Sequence, residues 1–325
     1  MKRSVSLPLD GYTLSEYSGW ADLRRELDEL GCDGIEAIWG GEDLPKDIPA
    51  GLVTGYHLTF FHDWLDLYRE DRAALERKFG SMEQVKAFYG GTTRETLLAA
   101  YRADLERAAA LEPEYVVFHV SDVSVEEGYT YRWLHSHGEV IDVSIEVINT
   151  LLAGRDWPFT FLVENQWWPG FTFTDPKQAS RLLDGICFEK KGILLDTGHL
   201  MNTNTALRTQ EEGAAYISAM LDAHGELAKQ ILGVHLHQSL SGEYVRAHTG
   251  FLPDGLPAGP AERFTASYRH IQRIDRHEPW TATAVLPVLE CLDPRWLTHE
   301  LPAESRAKRT EAVRRQSALL GRLGT

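Results

Sequence analysis

The sequence predicts an α/β chain whose eight parallel strands close into a (β/α)8 TIM barrel, with a helical insertion after the third strand and a long loop after the seventh. Three observations point there. Short runs of aliphatic, β-branched and aromatic residues recur eight times over the 325 residues. Longer amphipathic stretches separate them, the alternation from which parallel sheets are built. No GxGxxG or GxxxxGKS/T phosphate loop is present, which weighs against a doubly wound open sheet as the alternative.

Along the chain, the first strand is expected at 4–9, followed by a helix over 17–30 with apolar residues at three- and four-residue spacing. The second and third strands follow at 34–39 and 52–59. Residues 61–93 (FHDWLDLYREDRAALERKFGSMEQVKAFYGGTT) exceed a minimal connection and read as an inserted helical excursion. Helices over 94–111, 140–152, 176–183 and 210–227 then lead in turn to strands at 115–120, 159–165, 192–197 and 231–237. Residues 238–282 read as a long loop before the eighth strand at 296–300. The basic helix over 303–323 (RAKRTEAVRRQ) is expected as the solvated outer helix that closes the barrel. Both insertions follow strand C-termini, and in a barrel they overhang the active-site face. No repeat, low-complexity tract or linker divides residues 1–325, so one domain is expected.

Composition narrows the function classes. Hydrophobic residues make up 43% and charged residues 25% of the chain, and no apolar run approaches the roughly 20 residues of a membrane helix. The N-terminus lacks the apolar stretch of a signal peptide, which makes a cytoplasmic location the default. The net charge of −15 argues against a nucleic-acid partner, because such affinity rests on Lys and Arg neutralising phosphates. Cys32, Cys187 and Cys291 are far apart and outside any CxxC pairing. They are expected as small buried apolar residues, not as a disulfide framework or a thiolate zinc site.

From the third strand onward nearly every strand ends in a potential metal ligand. These are His57 (TGYHLTF), His119 (VVFHVSD), Glu164 (FLVENQWW), Asp196 and His199 (ILLDTGHLM), His235 (GVHLHQS) and Glu300 (WLTHEL). Side chains at strand C-termini point into one shared mouth, so residues distant in sequence converge. Imidazole nitrogen with carboxylate oxygen suits zinc, manganese, iron and magnesium. A carboxylate placed after four or five apolar residues must be paired, hydrogen-bonded or metal-bound, since an isolated buried charge is too costly. His237 shares the inward face of His235 and is a candidate substrate contact or spare ligand. Trp167, Trp168 and Phe171 would line the mouth and offer ring faces to a sugar, or cover the rim structurally. Arg246 and Arg276 are candidates for binding an anionic group such as phosphate, or for rim salt bridges. His62, His135, His137, His248 and His270 read mainly as loop and surface residues, and His299 should point to the opposite face from Glu300.

The sixth-strand LLDTGH, the seventh-strand GVHL and the IDRH at 274–277 resemble the metal motifs of endonuclease IV-type abasic-site nucleases. That AP endonuclease family 2 group belongs to the xylose-isomerase-like TIM barrels, which also include sugar phosphate isomerases and epimerases. The resemblance spans about residues 4–300 and implies a divalent-metal enzyme with one to three ions (Zn, Mn, Fe or Mg). In the manner of the epimerases, Glu164, Asp196, His235 and Glu300 would hold one metal. His57 and His119 would hold a second with Glu164 as bridge, and His199, Asp275 and His277 a third. The chain departs from the nucleases in its acidic or mixed insertion (DWLDLYRED) and aromatic fifth-strand loop. It departs from the epimerases in keeping His57, His119, Asp275 and His277.

Two reactions fit this pattern. The first is isomerisation or epimerisation of a sugar or sugar phosphate, in which a cation stabilises an enediolate while Glu164 and Glu300 transfer the proton. The second is multinuclear phosphodiester or phosphomonoester hydrolysis, in which cations activate water and stabilise the leaving oxygen. The isomerase or epimerase is the expectation and the hydrolase the alternative, although the complete ligand set favours hydrolysis and a small phosphorylated substrate reconciles it with the acidic charge. A non-enzyme reading keeps the metals as structural staples. Either enzyme takes a small-molecule substrate, involves no membrane and is compatible with a homo-oligomer.

Overall fold

A strand inside a closed parallel barrel buries both faces, one against the outer helices and one against the barrel interior, and its side chains alternate between them. The structure, a computed structural model, describes residues 1–41, 43–321 and 323. Its strands are β1 (Lys2–Leu9), β2 (Gly34–Trp39), β3 (Val53–His57), β4 (Tyr115–His119), β5 (Thr160–Glu164), β6 (Lys191–Asp196), β7 (Ile231–Leu236) and β8 (Trp296–His299). Each lies within two residues of its expected place. All neighbours pair in parallel in sequence order, and β8 returns to pair with β1, closing the barrel.

Leu7, Ile35, Tyr56, Phe118, Phe161, Leu195 and Leu236 belong to the large core packed between barrel and helices. Tyr115, Val117, Leu162, Leu194 and Trp296 form a separate apolar cluster. Two residues further along β4, β5, β6 and β8 from its members stand His119, Glu164, Asp196 and Thr298, so a period of two carries each strand from apolar filling to chemistry. Neighbouring registers agree, with His119 opposite Glu164 and Asp196 opposite His235. Gly55 makes room for this filling, since a Cβ there would meet the Tyr115 ring at 2.2 Å.

The insertion over 61–93 is helical as expected, with helices Leu65–Arg69, Arg72–Phe79 and Met82–Tyr89. Lys78 anchors it, its Nζ lying 2.6 Å from Asp63 and 2.7 Å from Asp66. The backbone N–H groups of Trp64 and Leu65 donate to Asp122 at 2.8 and 2.9 Å. The segment over 238–282 corrects the expectation of a long loop: it holds helices Gly242–His248 and Pro260–Ile274. The buried positions of the second helix are Ser267 and His270 beside Ile274, so two of the three are polar.

The last helix, Arg306–Leu320, is less solvated than expected; the anticipated range also includes Arg322, outside the described residues. Arg306 pairs with Asp22 and Glu26 on helix Trp20–Leu30, and Arg309 with Glu16. Two of its basic groups are thus engaged in holding the chain's ends together. Gln316 donates to the Leu236 carbonyl and to His299 Nδ1, both at 2.8 Å. Of the cysteines only Cys32 is buried; Cys187 and Cys291 are exposed, against expectation.

His299 points away from Glu300 and is fully buried. Burial, with a smaller contribution from Arg3, pushes its imidazole pKa down to about 3. Between that value and about 6.5 the unfolded chain binds a proton that the native state refuses, so this residue makes stability fall as pH drops below about 6.5. The loss reaches about 2 kcal/mol near pH 5. The variant His299→Gln is therefore expected to narrow the difference in thermal midpoint between pH 7.5 and pH 5 relative to the native chain. An undiminished difference contradicts this assignment.

Candidate metal centre

At the C-terminal ends of the strands three groups of ligand-type side chains come together, each with its donor atoms within 4.8 Å of one another. The first is Glu164, Asp196, His235 and Glu300; the second is His57, His119 and Glu164; the third is His199, His237, Asp275 and His277. Every residue expected as a ligand is in one of them, and Glu164 belongs to two. His237, expected as a substrate contact or spare ligand, joins the third group.

The second group is the tightest. His57 Nε2, His119 Nε2 and Glu164 Oε2 form a triangle with sides of 3.2, 3.0 and 3.1 Å. Tetrahedral donors at zinc-type bond lengths lie about 3.3 Å apart, so this triangle is close to one face of such a site. In the first group His235 Nδ1 lies 3.1 Å from Glu300, 3.6 Å from Glu164 and 3.7 Å from Asp196. In the third, Asp275 Oδ2 lies 3.1 Å from His199 Nε2 and 3.3 Å from His277 Nε2.

The opposite ring nitrogens are tied back. His57 Nδ1 faces the Leu58 carbonyl at 2.9 Å, and His199 Nδ1 the Asn165 carbonyl at 3.0 Å. His235 Nε2 lies 2.8 Å from Glu36 Oε1 and 3.0 Å from Oε2. Such outer hydrogen bonds fix ring orientation and tautomer in metal-binding histidines. Sequence reasoning does not single out Glu36, although an acid in the middle of GIEAIW is a usable signal. It also accepts from Tyr115 Oη at 2.7 Å and Thr298 Oγ1 at 3.0 Å.

Local sequence explains the placement. Asp196 caps the short helix Thr197–Asn202 by accepting from the His199 N–H at 2.6 Å. Gly198 lets His237 approach, since a Cβ there would meet its ring at 2.0 Å. Thr197 Oγ1 and Trp280 Nε1 donate to the His237 carbonyl at 2.5 and 2.8 Å. The IDRH segment is fastened to the chain after β7: Gln238 and Glu278 exchange backbone hydrogen bonds of 2.8 and 3.0 Å. His277 holds φ at 47°, a left-handed conformation costly for a side chain of this size.

The electrostatics suit cations. Burial opposes the charge of Glu164, but His119 and His235 outweigh it and hold the carboxyl well below its ordinary range. Burial likewise opposes protonation of His199 and His235, yet their carboxylate neighbours raise both well above the usual histidine value. Burial lifts Asp196. Asp275 is brought down to about 2 by His277 and His199 against its burial. Among the described residues Glu164 Oε1, His235 Nδ1, His237 Nδ1, Asp275 Oδ1 and Glu300 Oε2 are buried without a hydrogen bond. Orphaned donors and acceptors on ligand residues fit divalent cations, which replace protons on such groups.

The aromatic candidates divide. Trp168 and Trp167 pack at 4.2 Å with their rings tilted by 41°, and Trp167 lies 5.0 Å from the His199 ring. Phe171 instead packs into the core outside the barrel. Arg246 is exposed and donates to the Thr205 carbonyl, and Arg276 pairs with Glu278; neither belongs to the three groups. The loop histidines are less exposed than expected: His270 is buried, His62, His135 and His137 are half-buried, and His248 is exposed. His135 lies 3.2 Å from Asp66 of the first insertion, His137 3.0 Å from the Gly170 carbonyl, and His270 between Tyr244 and the Gly128 carbonyl.

The sequence model of one family, described as xylose isomerase-like TIM barrel, matches residues 24–323. Among solved structures, endonuclease IV from Thermus thermophilus is 18% identical, with 99% of each chain covered and a TM-score of 0.54. L-ribulose 3-epimerase is 12% identical, covers 99% of this chain and 94% of its own, and has a TM-score of 0.52. Mannonate dehydratase from Streptococcus suis is also 12% identical, with 98% and 92% covered and a TM-score of 0.52. At these identities the likeness is one of fold. No curated protein sequence matches the chain.

The geometry of Glu36 yields a test. Glu36→Gln should leave the fold intact and weaken divalent-cation binding by about 10- to 100-fold, the usual effect of losing an orienting partner. Chelator competition measures it, and unchanged affinity removes Glu36 from the centre.

Proposed function

The chain belongs to the xylose isomerase-like TIM-barrel family, and from that premise we propose that it is a multinuclear, divalent-metal-dependent hydrolase of small phosphate esters. One observation carries the reading: three groups of ligand-type side chains, two of them sharing Glu164, are assembled in one mouth. A one-metal reaction would use four of these ten side chains and leave a buried remainder of histidines and Asp275 without a purpose, which is costly.

Glu164, Asp196, His235 and Glu300 would hold one cation, His57, His119 and Glu164 a second, and His199, His237, Asp275 and His277 a third. Cations bound there supply positive charge to phosphoryl oxygens and bring the pKa of water towards neutrality. The chain's own residues do the positioning. Glu36, Leu58 and Asn165 fix the rings of His235, His57 and His199. Glu164, fully buried and held ionised by its histidines, keeps the two groups it joins in register. His119, Glu300 and His277 are the partly exposed members, with side-chain exposures of 15, 14 and 19%, and so mark where a substrate meets the centre. In the net reaction a water oxygen bonds to phosphorus, the ester oxygen departs, and a proton passes from the water to it. The net charge of −15 supports a small substrate over a polyanion.

A second reading, sugar or sugar-phosphate isomerisation, is favoured by the self-sufficiency of the first group. There Glu164 and Glu300 both lie against His235, so two carboxylates are available for proton transfer at a carbon acid.

Metal analysis separates the two. Protein purified without chelator is expected to carry two or three cations per chain, to lose one on His277→Ala, and to hydrolyse bis(4-nitrophenyl) phosphate or 4-nitrophenyl phosphate. One cation per chain, unchanged by His57→Ala and His277→Ala, together with solvent deuterium entering a sugar at carbon, would establish the isomerase instead.

A further inference from the structure

Beside the metal centre lies a cavity of about 710 Å³ that none of the ligand residues line. Its walls come from both insertions and from the loops after β4 and β5. Phe60, Phe88, Trp168 and Phe264 present rings to it, with Val123 and Ile271 completing the apolar lining. The rings meet edge to face: His62 lies 5.9 Å from Trp168 and 5.4 Å from Phe264, and Phe88 lies 5.7 Å from Phe264 at 75°.

The cavity is one ring's thickness from the centre. Phe60 stacks on His119 at 4.4 Å. Trp168 packs on Trp167 at 4.2 Å with the rings tilted by 41°, and Trp167 in turn lies 5.0 Å from His199. A ligand here would therefore be separated by one ring from the second group and by two from the third.

Arg77, Glu126 and Arg132 also line it, and its more enclosed polar groups are of two kinds. Some are already engaged: Lys78 by Asp63 and Asp66, and Glu127 by Ser124 and the Leu134 N–H. Others are unengaged. Trp168 Nε1 and Arg263 Nε are buried without a hydrogen-bond partner, and neither nitrogen of the His62 ring has one among the described residues. A large chamber with a mostly apolar surface and convergent polar groups is the form of a site for a ligand of drug-like size, for which roughly 300–1,000 Å³ is typical. A bare sugar phosphate does not match it, because hydroxyls pressed against phenyl rings would lose their hydrogen bonds to water.

We propose that this cavity receives an aromatic group carried by the substrate, making the substrate an aryl-bearing phosphate ester whose phosphoryl end reaches the metal centre. The proposal rests on the hydrolase reading for its phosphoryl end only; the aromatic seat follows from the cavity. Phe264 and Trp168 supply ring contacts, while His62, Trp168 Nε1 and Arg263 orient the group through its substituents.

The experiment has two arms. In the first, 4-nitrobenzyl alcohol, a neutral quencher of indole fluorescence, is titrated into the protein as purified and after chelator treatment. Saturable quenching in both samples is expected. It should be lost in Trp168→Phe and weakened about tenfold in Phe264→Ala, the order expected for deleting a ring contact with its buried area. Tyr268→Ala, at an exposed position of the same helix that does not line the cavity, should retain the quenching and show that a substitution in this helix leaves the chamber folded. Absence of saturable quenching, or an unchanged affinity in Phe264→Ala, would overturn the assignment. In the second arm, phenylphosphonate and methylphosphonate, which cannot be hydrolysed, are titrated into metal-loaded protein by calorimetry. The phenyl compound should bind at least about tenfold more tightly, and Phe264→Ala should close the gap. Equal affinities overturn the link between cavity and centre. Failure of both phosphonates to bind, with quenching by the alcohol intact, overturns the hydrolase reading while the aromatic seat stands.

Discussion

The centre depends on the cost of burying the carboxylate of Glu164. This side chain is fully buried, where an isolated charge would cost several kcal/mol even after the surroundings relax. His57 and His119 meet one of its oxygens at 3.2 and 3.0 Å, and His199 and His235 meet the other at 3.1 and 3.6 Å. Four imidazoles are drawn to one acid from four different strand ends. The second nitrogens of three of these rings have partners of their own: Glu36 is buried behind His235, the Leu58 carbonyl faces His57, and Asp275 meets His199 Nε2. The requirement spreads outward until it reaches Tyr115 and Thr298 inside the barrel.

Barrel closure supplies the precision that such an arrangement needs. The filling of Tyr115, Val117, Leu162, Leu194 and Trp296 fixes the strands' relative heights. Residues two places further on then stand at matched levels, with His119 opposite Glu164 and Asp196 opposite His235. Because β-strand periodicity is two, a slip of one residue would turn every one of these side chains towards the helices. The apolar filling below therefore sets the register of the chemistry above.

The strands and the ligands they carry are legible because both signals are local. An apolar run ending in His, Asp or Glu can be read within seven residues, and the barrel rule supplies the convergence. Legibility fails where the decisive contacts are remote. Helix Pro260–Ile274 turns Ser267 and His270 inward, and nothing in the sequence says that Tyr244 and the Gly128 carbonyl await the His270 ring. Glu36 escapes a reading that looks for ligands at strand ends, because it precedes the end of its own strand by three residues. His237 reads as facing inward, but only the missing Cβ of Gly198 explains how its ring enters the third group. Arg246 is a plausible anion binder by type, and its geometry turns it to the Thr205 carbonyl instead.

The three ligand groups also differ in how they are held. Glu164, Asp196, His235 and Glu300 stand at or just beyond the ends of β5 to β8 and inherit the rigidity of the barrel. Asp275 and His277 do not; they follow directly on helix Pro260–Ile274, and His277 takes a left-handed backbone conformation there. The same helix presents Arg263, Phe264 and Ile271 to the aromatic cavity. One insertion thus supplies both half of the third ligand group and one wall of the chamber beside it. A shift of this helix alters the ligand geometry and the shape of the cavity together, whereas the strand-borne group is insulated from it. On this scaffold the geometry of the third group of side chains and the shape of the cavity share a single helix, and the barrel alone specifies only the part common to both proposed reactions.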